Sequence, residues 1–195
     1  MMQGPRYSSR GFTLIELAVS VVILAVLTSV ALPNFRDFMR RNTVTSQSNA
    51  LLADIQYARN EAVSRRAVTA VCGSTNGSTC SGSNVLESGW AIYRESAPGA
   101  TATLSSGDEV MRVVQAKQGI SIRLVDGAGN PVDAIGFDQQ GAVLGGAAVT
   151  FLVCAVPSGA SVGESTDRVK GTRLFLSSSG RPALREMAAG DDCSA

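Results

Sequence analysis

The first third of the chain carries a continuous apolar stretch followed by an amphipathic one. Residues 12–32 are apolar apart from Glu16 and a few Ser and Thr. As a helix they would span about 31 Å, enough to cross the hydrocarbon core of a membrane. Apolar residues then recur from Leu51 to Val63 with the spacing of one helix face. The pattern predicts one long helix over residues 12–66 with a kink at Pro33, the alternative being that the helix stops just before this proline.

After residue 66 the pattern changes to short segments separated by Gly, Pro, Ser and Asn. Ile120, Ile122 and Leu124 alternate with polar residues, which is the period of a half-buried strand. Residues 149–153 are apolar on both faces and indicate a central strand. The segments predicted as strands are 67–72, 89–94, 109–115, 120–125, 134–138, 142–144, 148–156 and 168–177. This order predicts an α+β fold, in which the long N-terminal helix packs on an antiparallel sheet or sandwich of residues 67–195.

Composition narrows the function mainly by exclusion. The 195 residues carry a formal net charge of +1, which gives no support to a strongly basic nucleic-acid-binding protein. The chain contains no histidine, which excludes Ser-His-Asp and Cys-His catalysis and every histidine-ligated metal site. We therefore expect a protein that is not an enzyme and that holds neither a cofactor nor a metal.

Four cysteines, an even number, favour disulfides in an exported chain. Cys72, Cys80, Cys154 and Cys193 allow three pairings. The loop between the first two consists of small polar residues that bend easily, which favours Cys72–Cys80 and leaves Cys154–Cys193 to pin the C-terminal segment to the domain. A zinc site is the alternative, but the chain has no C-x2-C spacing.

The apolar stretch near the N-terminus has two interpretations. An ordinary secretory signal would end at the small-residue site Ser29-Val30-Ala31. Glu16 argues against that interpretation, because it lies inside what would be the apolar region of the signal, where a charge opposes insertion. At the centre of a bilayer a carboxylate costs about 2.5–3.5 kcal/mol or more. The sequence Arg10-Gly11-Phe12-Thr13-Leu14-Ile15-Glu16-Leu17, followed by an apolar helix, instead resembles the prepilin signature of type IV pilins and pseudopilins.

The resemblance implies that a prepilin peptidase removes residues 1–11 by cutting between Gly11 and Phe12, and that Phe12 is then N-methylated. It also implies that residues 12–32 form a single transmembrane anchor in the lipid of the inner membrane, with the C-terminal domain in the periplasm. Later the same segment would pack among other pilin or pseudopilin subunits in a filament. Glu16 is expected to pair with the Phe12 amine of its own chain or of a neighbour, because a buried carboxylate persists where a cation meets it.

Further motifs indicate which family of pilin-like proteins the chain resembles. Tyr57–Val63, the segment from Val71 to Cys80, Gly89–Tyr93 and Gly180-Arg181 resemble the GspH/FimT family of minor pilins and pseudopilins. The resemblance covers about the first half of the chain and returns near the C-terminus. It implies a structural subunit of a type IV pilus or of a type II secretion pseudopilus, which primes or assembles the filament.

Packing explains the conspicuous side chains within these motifs. Trp90, the single tryptophan, is interpreted as a core or groove residue. Arg59 and Glu61 are interpreted as contacts on the helix surface or against the sheet. Residues 159–163 match the G-x-S-x-G nucleophile pattern, but they lie in a predicted loop of a chain without histidine, so we take the match as a coincidence.

A basic stretch close to the C-terminus is the remaining candidate site. It holds five basic residues and no acid: Arg168, Lys170, Arg173, Arg181 and Arg185. Such a cluster could neutralise the phosphates of DNA, whereas the alternative is an edge strand kept soluble by its charges.

The two last arginines of that stretch are predicted to lie on a flexible tail beyond Gly180. Family members that serve DNA uptake carry a Gly-Arg pair with another arginine shortly after it. Here the second arginine, Arg185, comes later than in that pattern. DNA binding in natural transformation, through the basic stretch, is the alternative function to filament assembly.

Overall fold

The computed structural model describes residues 12–96, 104–105, 107–115 and 117–194, except for the side chain of Val30. The predicted leader, with Gly11, lies outside the described residues. The chain divides into two compact units, one up to Phe38 and one from Met39 onward, which we call the body. The described elements are α1 (Leu14–Arg65), β1 (Thr69–Gly73), β2 (Gly89–Arg94), β3 (Glu109–Gln115), β4 (Ile120–Asp126), β5 (Ala134–Phe137), β6 (Val149–Ala155), β7 (Thr172–Leu176) and β8 (Pro182–Glu186).

Helix α1 is continuous over 52 residues and includes Pro33. The alternative that the helix stops just before this proline is therefore wrong. At its other end, Arg66 adopts a left-handed conformation with φ of 50°, and the Ala67 amide donates to the Ala62 carbonyl at 3.2 Å. A left-handed residue of this kind ends many helices by turning the chain away from the helix axis.

The described strands of the body form two antiparallel sheets. The first sheet has the strand order β3-β2-β1-β5 and the second the order β4-β6-β7-β8. One hydrophobic core joins both sheets to the second half of α1, whose buried residues include Leu51, Ile55, Ala58 and Ala62. The predicted α+β fold is thereby confirmed, and β6, predicted to be central, does lie between two other strands.

Two disulfides close the body at separate places. Cys72 in β1 is bonded to Cys80, and Cys154 in β6 is bonded to Cys193. These are the two pairings that the sequence favours. The second bond fixes the residues after β8, which return over the second sheet.

The structure differs most from the predicted strands at two places before β8, apart from shifts of one or two residues at other strand ends. Residues 142–144 form no strand, because a 3-10 turn at Leu144–Gly146 begins there and its two glycines have positive φ values of 78° and 67°. The strand predicted from residue 168 begins only at Thr172. Before it, Thr166 and Val169 close a turn. The Thr166 amide donates to the Val169 carbonyl at 2.9 Å, and the Val169 amide donates to the Thr166 hydroxyl oxygen at 3.0 Å.

The prediction of a flexible basic tail is wrong for the segment that contains Arg185. That residue lies in β8, which pairs with β7 along five residues. The chain reverses between Ser177 and Gly180, where the Gly180 amide donates to the Ser177 carbonyl at 2.8 Å and φ of 73° suits only glycine well. This tight turn brings the last arginines back against β7.

Candidate functional site

The first turn of α1 is capped by its own sequence. Thr13 precedes the helix, and its hydroxyl oxygen accepts a hydrogen bond from the Glu16 amide at 3.3 Å. Thr-x-x-Glu is the capping-box pattern, and the helix dipole favours a carboxylate in the first turn. From the sequence, Glu16 was expected only to pair with the Phe12 amine. Stabilising the first turn of α1 is an additional role, which the Thr-x-x-Glu spacing could have indicated.

The apolar part of α1 exposes its side chains on every side. Phe12 is 85% exposed and Leu14 87%, and the large apolar side chains up to Leu27 are all at least half exposed. By length and composition this part of α1 could cross a membrane. Within the described residues the Glu16 carboxylate forms no ion pair. Lipid or neighbouring helices would have to cover such a surface, since water does not favour it.

The basic residues near the C-terminus fall into two groups in the body. Arg173 and Arg185 stand directly opposite each other in the β7–β8 ladder. Arg181 precedes Ala183 by two residues, and the Ser177 amide donates to the Arg181 carbonyl at 3.1 Å, which continues the ladder. Residues opposite each other in an antiparallel pair share a face. Arg173, Arg181 and Arg185 are therefore on one side of the hairpin, where all three are exposed.

An aromatic residue that was not predicted to belong to the basic site lies among these arginines. Phe175 is 41% exposed and stands opposite Ala183, whereas Leu174 and Leu176 are fully buried. The alternation of Arg173, Phe175 and Ser177 with buried leucines is the signal that could have identified it. We call this surface, made of Arg173, Phe175, Arg181, Ala183 and Arg185, the hairpin face.

Arg168 and Lys170 belong to a groove that Arg185 also lines. The groove has a volume of about 490 Å³ and lies between α1 and the start of the hairpin. It is lined by Arg41, Thr45, Asp167, Arg168, Lys170, Thr172, Leu184, Arg185 and Glu186. Arg41, far away in sequence, is a cation of this site that the basic stretch alone could not indicate.

Acidic residues reduce the charge of the basic cluster. Lys170 Nζ lies 3.4 Å from Glu186 Oε2, and an Arg173 guanidinium nitrogen lies 3.1 Å from Asp191 Oδ2. Among the described residues Arg181 and Arg185 form no ion pair. Arg181, directly before β8, and Arg185, within β8, thus lie at the free edge of the second sheet.

The segment after β8 holds Asp191 in this position. We call residues 187–193 the C-terminal strap. Met187 and Cys193 are buried with Leu152 and Cys154 in a small apolar cluster, and the disulfide joins the strap to β6. The Ser165 hydroxyl donates to the Ala188 carbonyl at 2.8 Å, so the strap is fixed by hydrogen bonds as well.

The turn of the hairpin is positioned by α1. Arg59 Nε donates to the Gly141 carbonyl at 2.8 Å, and Gly180 packs on that same carbonyl. The Val143 amide also donates to the Ser178 carbonyl at 2.9 Å. These contacts hold the β7–β8 turn against the helix and the turn after β5, which fixes the position of the Arg181 backbone.

Comparisons with known proteins agree with this architecture. The model of the family described as type II transport protein GspH matches residues 47–180. The prokaryotic N-terminal methylation motif matches residues 6–32, which include the capped start of α1. Comparison with curated protein sequences found no significant match.

A type IV minor pilin is among the solved structures with a similar fold. Two crystal forms of the type IV minor pilin FimU of Pseudomonas aeruginosa match with TM-scores of 0.54 and 0.52 at 22% and 21% identity. They cover 78% and 74% of this chain and 98% of FimU in each case. The minor pseudopilin EpsH of the Vibrio cholerae type 2 secretion system gives a TM-score of 0.44 at 11% identity, over 76% of this chain and 98% of EpsH.

The GspH model covers well over half of the chain, and the methylation motif covers its start. The fold of FimU, a long helix packed on antiparallel sheets, is the fold described above. The chain therefore belongs to the GspH family of type II transport proteins, a family of minor pilins and pseudopilins.

Proposed function

We propose that this protein is a structural subunit of a type IV filament, assembled from the inner membrane through its N-terminal helix. The observation that supports the proposal most directly is the apolar surface of α1, exposed on every side around a single carboxylate at Glu16. A prepilin peptidase would cut between Gly11 and Phe12, and the new Phe12 amine would be methylated. Residues 12–32 would then anchor the subunit with its body in the periplasm.

Cleavage is tested by intact-mass and N-terminal peptide analysis of the protein extracted from membranes. We expect a mature chain that starts at a methylated Phe12. A mature N-terminus at Leu32 would show that residues 12–31 are an ordinary signal sequence, and the proposal would fail.

The role of Glu16 in assembly is tested separately. The carboxylate is expected to pair with a Phe12 amine in the filament, since an unpaired charge in an apolar environment is costly. Glu16→Ala should insert into the membrane normally and enter filaments poorly, as measured by comparing membrane and sheared-filament fractions. Ser29→Ala, another polar-to-alanine change in the same apolar segment, should be incorporated like the unmodified protein; equal incorporation of Glu16→Ala would show that the pairing is dispensable.

DNA binding during uptake is a second candidate function. It is favoured by the register of β7 and β8, which gathers Arg173, Arg181 and Arg185 on one exposed face. Like charges directly opposite each other destabilise a sheet. Asp191 offsets this repulsion at Arg173, but no ion pair of the described residues compensates Arg181 or Arg185. A polyanion would suit these two cations, which is a reason to test for DNA.

The test is a gel shift with the full-length protein in detergent micelles and short duplex DNA at several salt concentrations. Replacing both Arg181 and Arg185 by alanine should weaken binding and reduce the salt slope by about one unit for each phosphate that is no longer neutralised. The control replaces Arg65 and Arg94, whose guanidinium groups both lie near Glu109, and so removes the same charge elsewhere. Absence of binding at low salt excludes this second function.

A further inference from the structure

The hairpin face combines one exposed aromatic ring with three arginines. Phe175 is 41% exposed, and its neighbours across the two ladders, Thr150 in β6 and Ala183 in β8, are too small to cover a phenyl ring. Among the described residues of the body few large apolar side chains are exposed, and an aromatic one among cations is a specific combination. Neither the apolar helix nor filament assembly through it gives Phe175 a role.

We propose that Phe175 is a stacking site for a base of single-stranded DNA, so that the hairpin face binds single strands in preference to duplex. The inference rests on the DNA binding proposed above and names the form of DNA. Sites for single strands combine a basic surface that follows the phosphates with aromatic rings on which bases stack. A duplex offers the same phosphates, but its bases are already stacked on one another and cannot reach the ring.

The spacing of the hairpin face suits this ligand. Arg173 lies two residues from Phe175 along β7, which separates their backbones by about 7 Å. Arg185 stands opposite Arg173 on the adjacent strand, with about 5 Å between the two strands. Arginine side chains at these distances can reach the phosphates on either side of a base stacked on the ring.

The acidic groups near the hairpin face neutralise only part of its positive charge. Asp191 is the acid paired with an arginine of the hairpin face, at 3.1 Å from Arg173, and the described residues show no such acid at Arg181 or Arg185. Glu186 alternates to the other side of β8, where it meets Lys170. The face therefore keeps a net positive charge around the ring.

The experiment measures the affinity of full-length protein in detergent micelles for a fluorescent single-stranded oligonucleotide and for its duplex, at one ionic strength. We expect tighter binding of the single strand. Phe175→Ala should weaken single-strand binding at least about fivefold, the effect of losing one stacked base, and change duplex binding less than twofold. Phe175→Trp should keep single-strand binding, whereas Phe175→Leu, which stays apolar but cannot stack, should lose it. Val110→Ala, at an exposed apolar position of β3, is the control for surface changes and should have no effect.

The remaining outcomes separate the two proposals. Arginine-dependent duplex binding that no Phe175 variant alters, or full single-strand binding by Phe175→Leu, overturns the stacking site and leaves DNA binding standing. If neither form of DNA binds at low salt, both proposals fail. If Phe175→Ala binds DNA normally but enters filaments poorly, the ring is a contact to another subunit and the stacking site is wrong.

Discussion

Arg59 Nε lies 2.8 Å from the carbonyl oxygen of Gly141, and this hydrogen bond joins the amphipathic part of α1 to the turn after β5. From the sequence, Arg59 was predicted only to be a helix-surface residue or a contact of the helix with the sheet. In the structure it fixes two turns, because Gly180 from the β7–β8 turn packs against the same carbonyl. The position of the hairpin thus depends on a residue that is distant from it in sequence.

Gly180 should tolerate no side chain. A Cβ at this position would lie 1.9 Å from the Gly141 carbonyl oxygen, and φ of 73° is strained for any other residue. We expect Gly180→Ala to lower the free energy of unfolding by about 2–4 kcal/mol, as measured by denaturant unfolding. Gly145→Ala is the matched control, because its φ of 78° is similar but nothing lies within 4 Å of the added carbon. Equal losses for the two variants would show that the close contact is unimportant.

Asp54 should be more important for stability than other acidic residues of α1. It is 6% exposed, it accepts a hydrogen bond from Trp90 Nε1 at 3.1 Å, and its other oxygen lies 2.5 Å from the Arg112 guanidinium. Asp54→Ala leaves both donors without their acceptor and should cost about 2–4 kcal/mol. Trp90→Phe removes only one donor and should cost less. A shift in tryptophan fluorescence should accompany Asp54→Ala, and an unchanged spectrum would contradict the contact.

The two disulfides should differ in their contribution to stability. Cys154–Cys193 closes a separation of 39 residues and Cys72–Cys80 one of 8. In the chain-entropy model their removal costs about 4 and about 2.5 kcal/mol, because the longer loop gains more freedom in the unfolded chain. Paired replacement of each bond by alanines, followed by denaturant unfolding, tests the order. A larger loss for the shorter loop would mean that strain or residual structure in the unfolded chain dominates.

Asp126 should make part of the stability of the body dependent on pH. A side-chain hydrogen bond from Asn130, together with backbone amides of Asn130, Ala128 and Gly129, lowers the pKa of this exposed carboxyl. A lowered pKa in the folded protein means that the stabilisation is complete above the unfolded pKa of about 3.9 and is lost as pH falls through the folded value. Thermal unfolding between pH 7 and pH 2 should therefore show a smaller acid-induced loss for Asp126→Asn than for the unmodified protein. The same change at the exposed Asp133 is the control, and an identical acid response of Asp126→Asn would refute the prediction.

The elements that the sequence predicted well are those with a strong local pattern. The buried face from Leu51 to Ala62 has helix periodicity, and β2 and β3 begin and end at the predicted residues. The short strand β8 was missed because Pro182 and two charged residues dominate its five positions, and its existence depends on pairing with β7. Pairing of that kind is a tertiary effect that local propensity does not contain.

The candidate site was only partly accessible from the sequence for the same reason. The cations of the basic stretch could be counted, but their division between the hairpin face and the groove follows from the register of β7 and β8. Arg41 joins them only because α1 packs beside the groove. The ion pair of Arg173 with Asp191 depends on the return of the C-terminal strap, which no local pattern indicates.

The order of strands in the two sheets has a consequence for folding. The chain places β1, β2 and β3 in one sheet, β4 in the other, β5 back in the first, and β6 to β8 in the second. Neither sheet can be completed from a contiguous piece of chain, and both bury residues in one core with α1. Partial unfolding of either sheet would open the other, so the body should melt in a single cooperative transition rather than as two separate folding units.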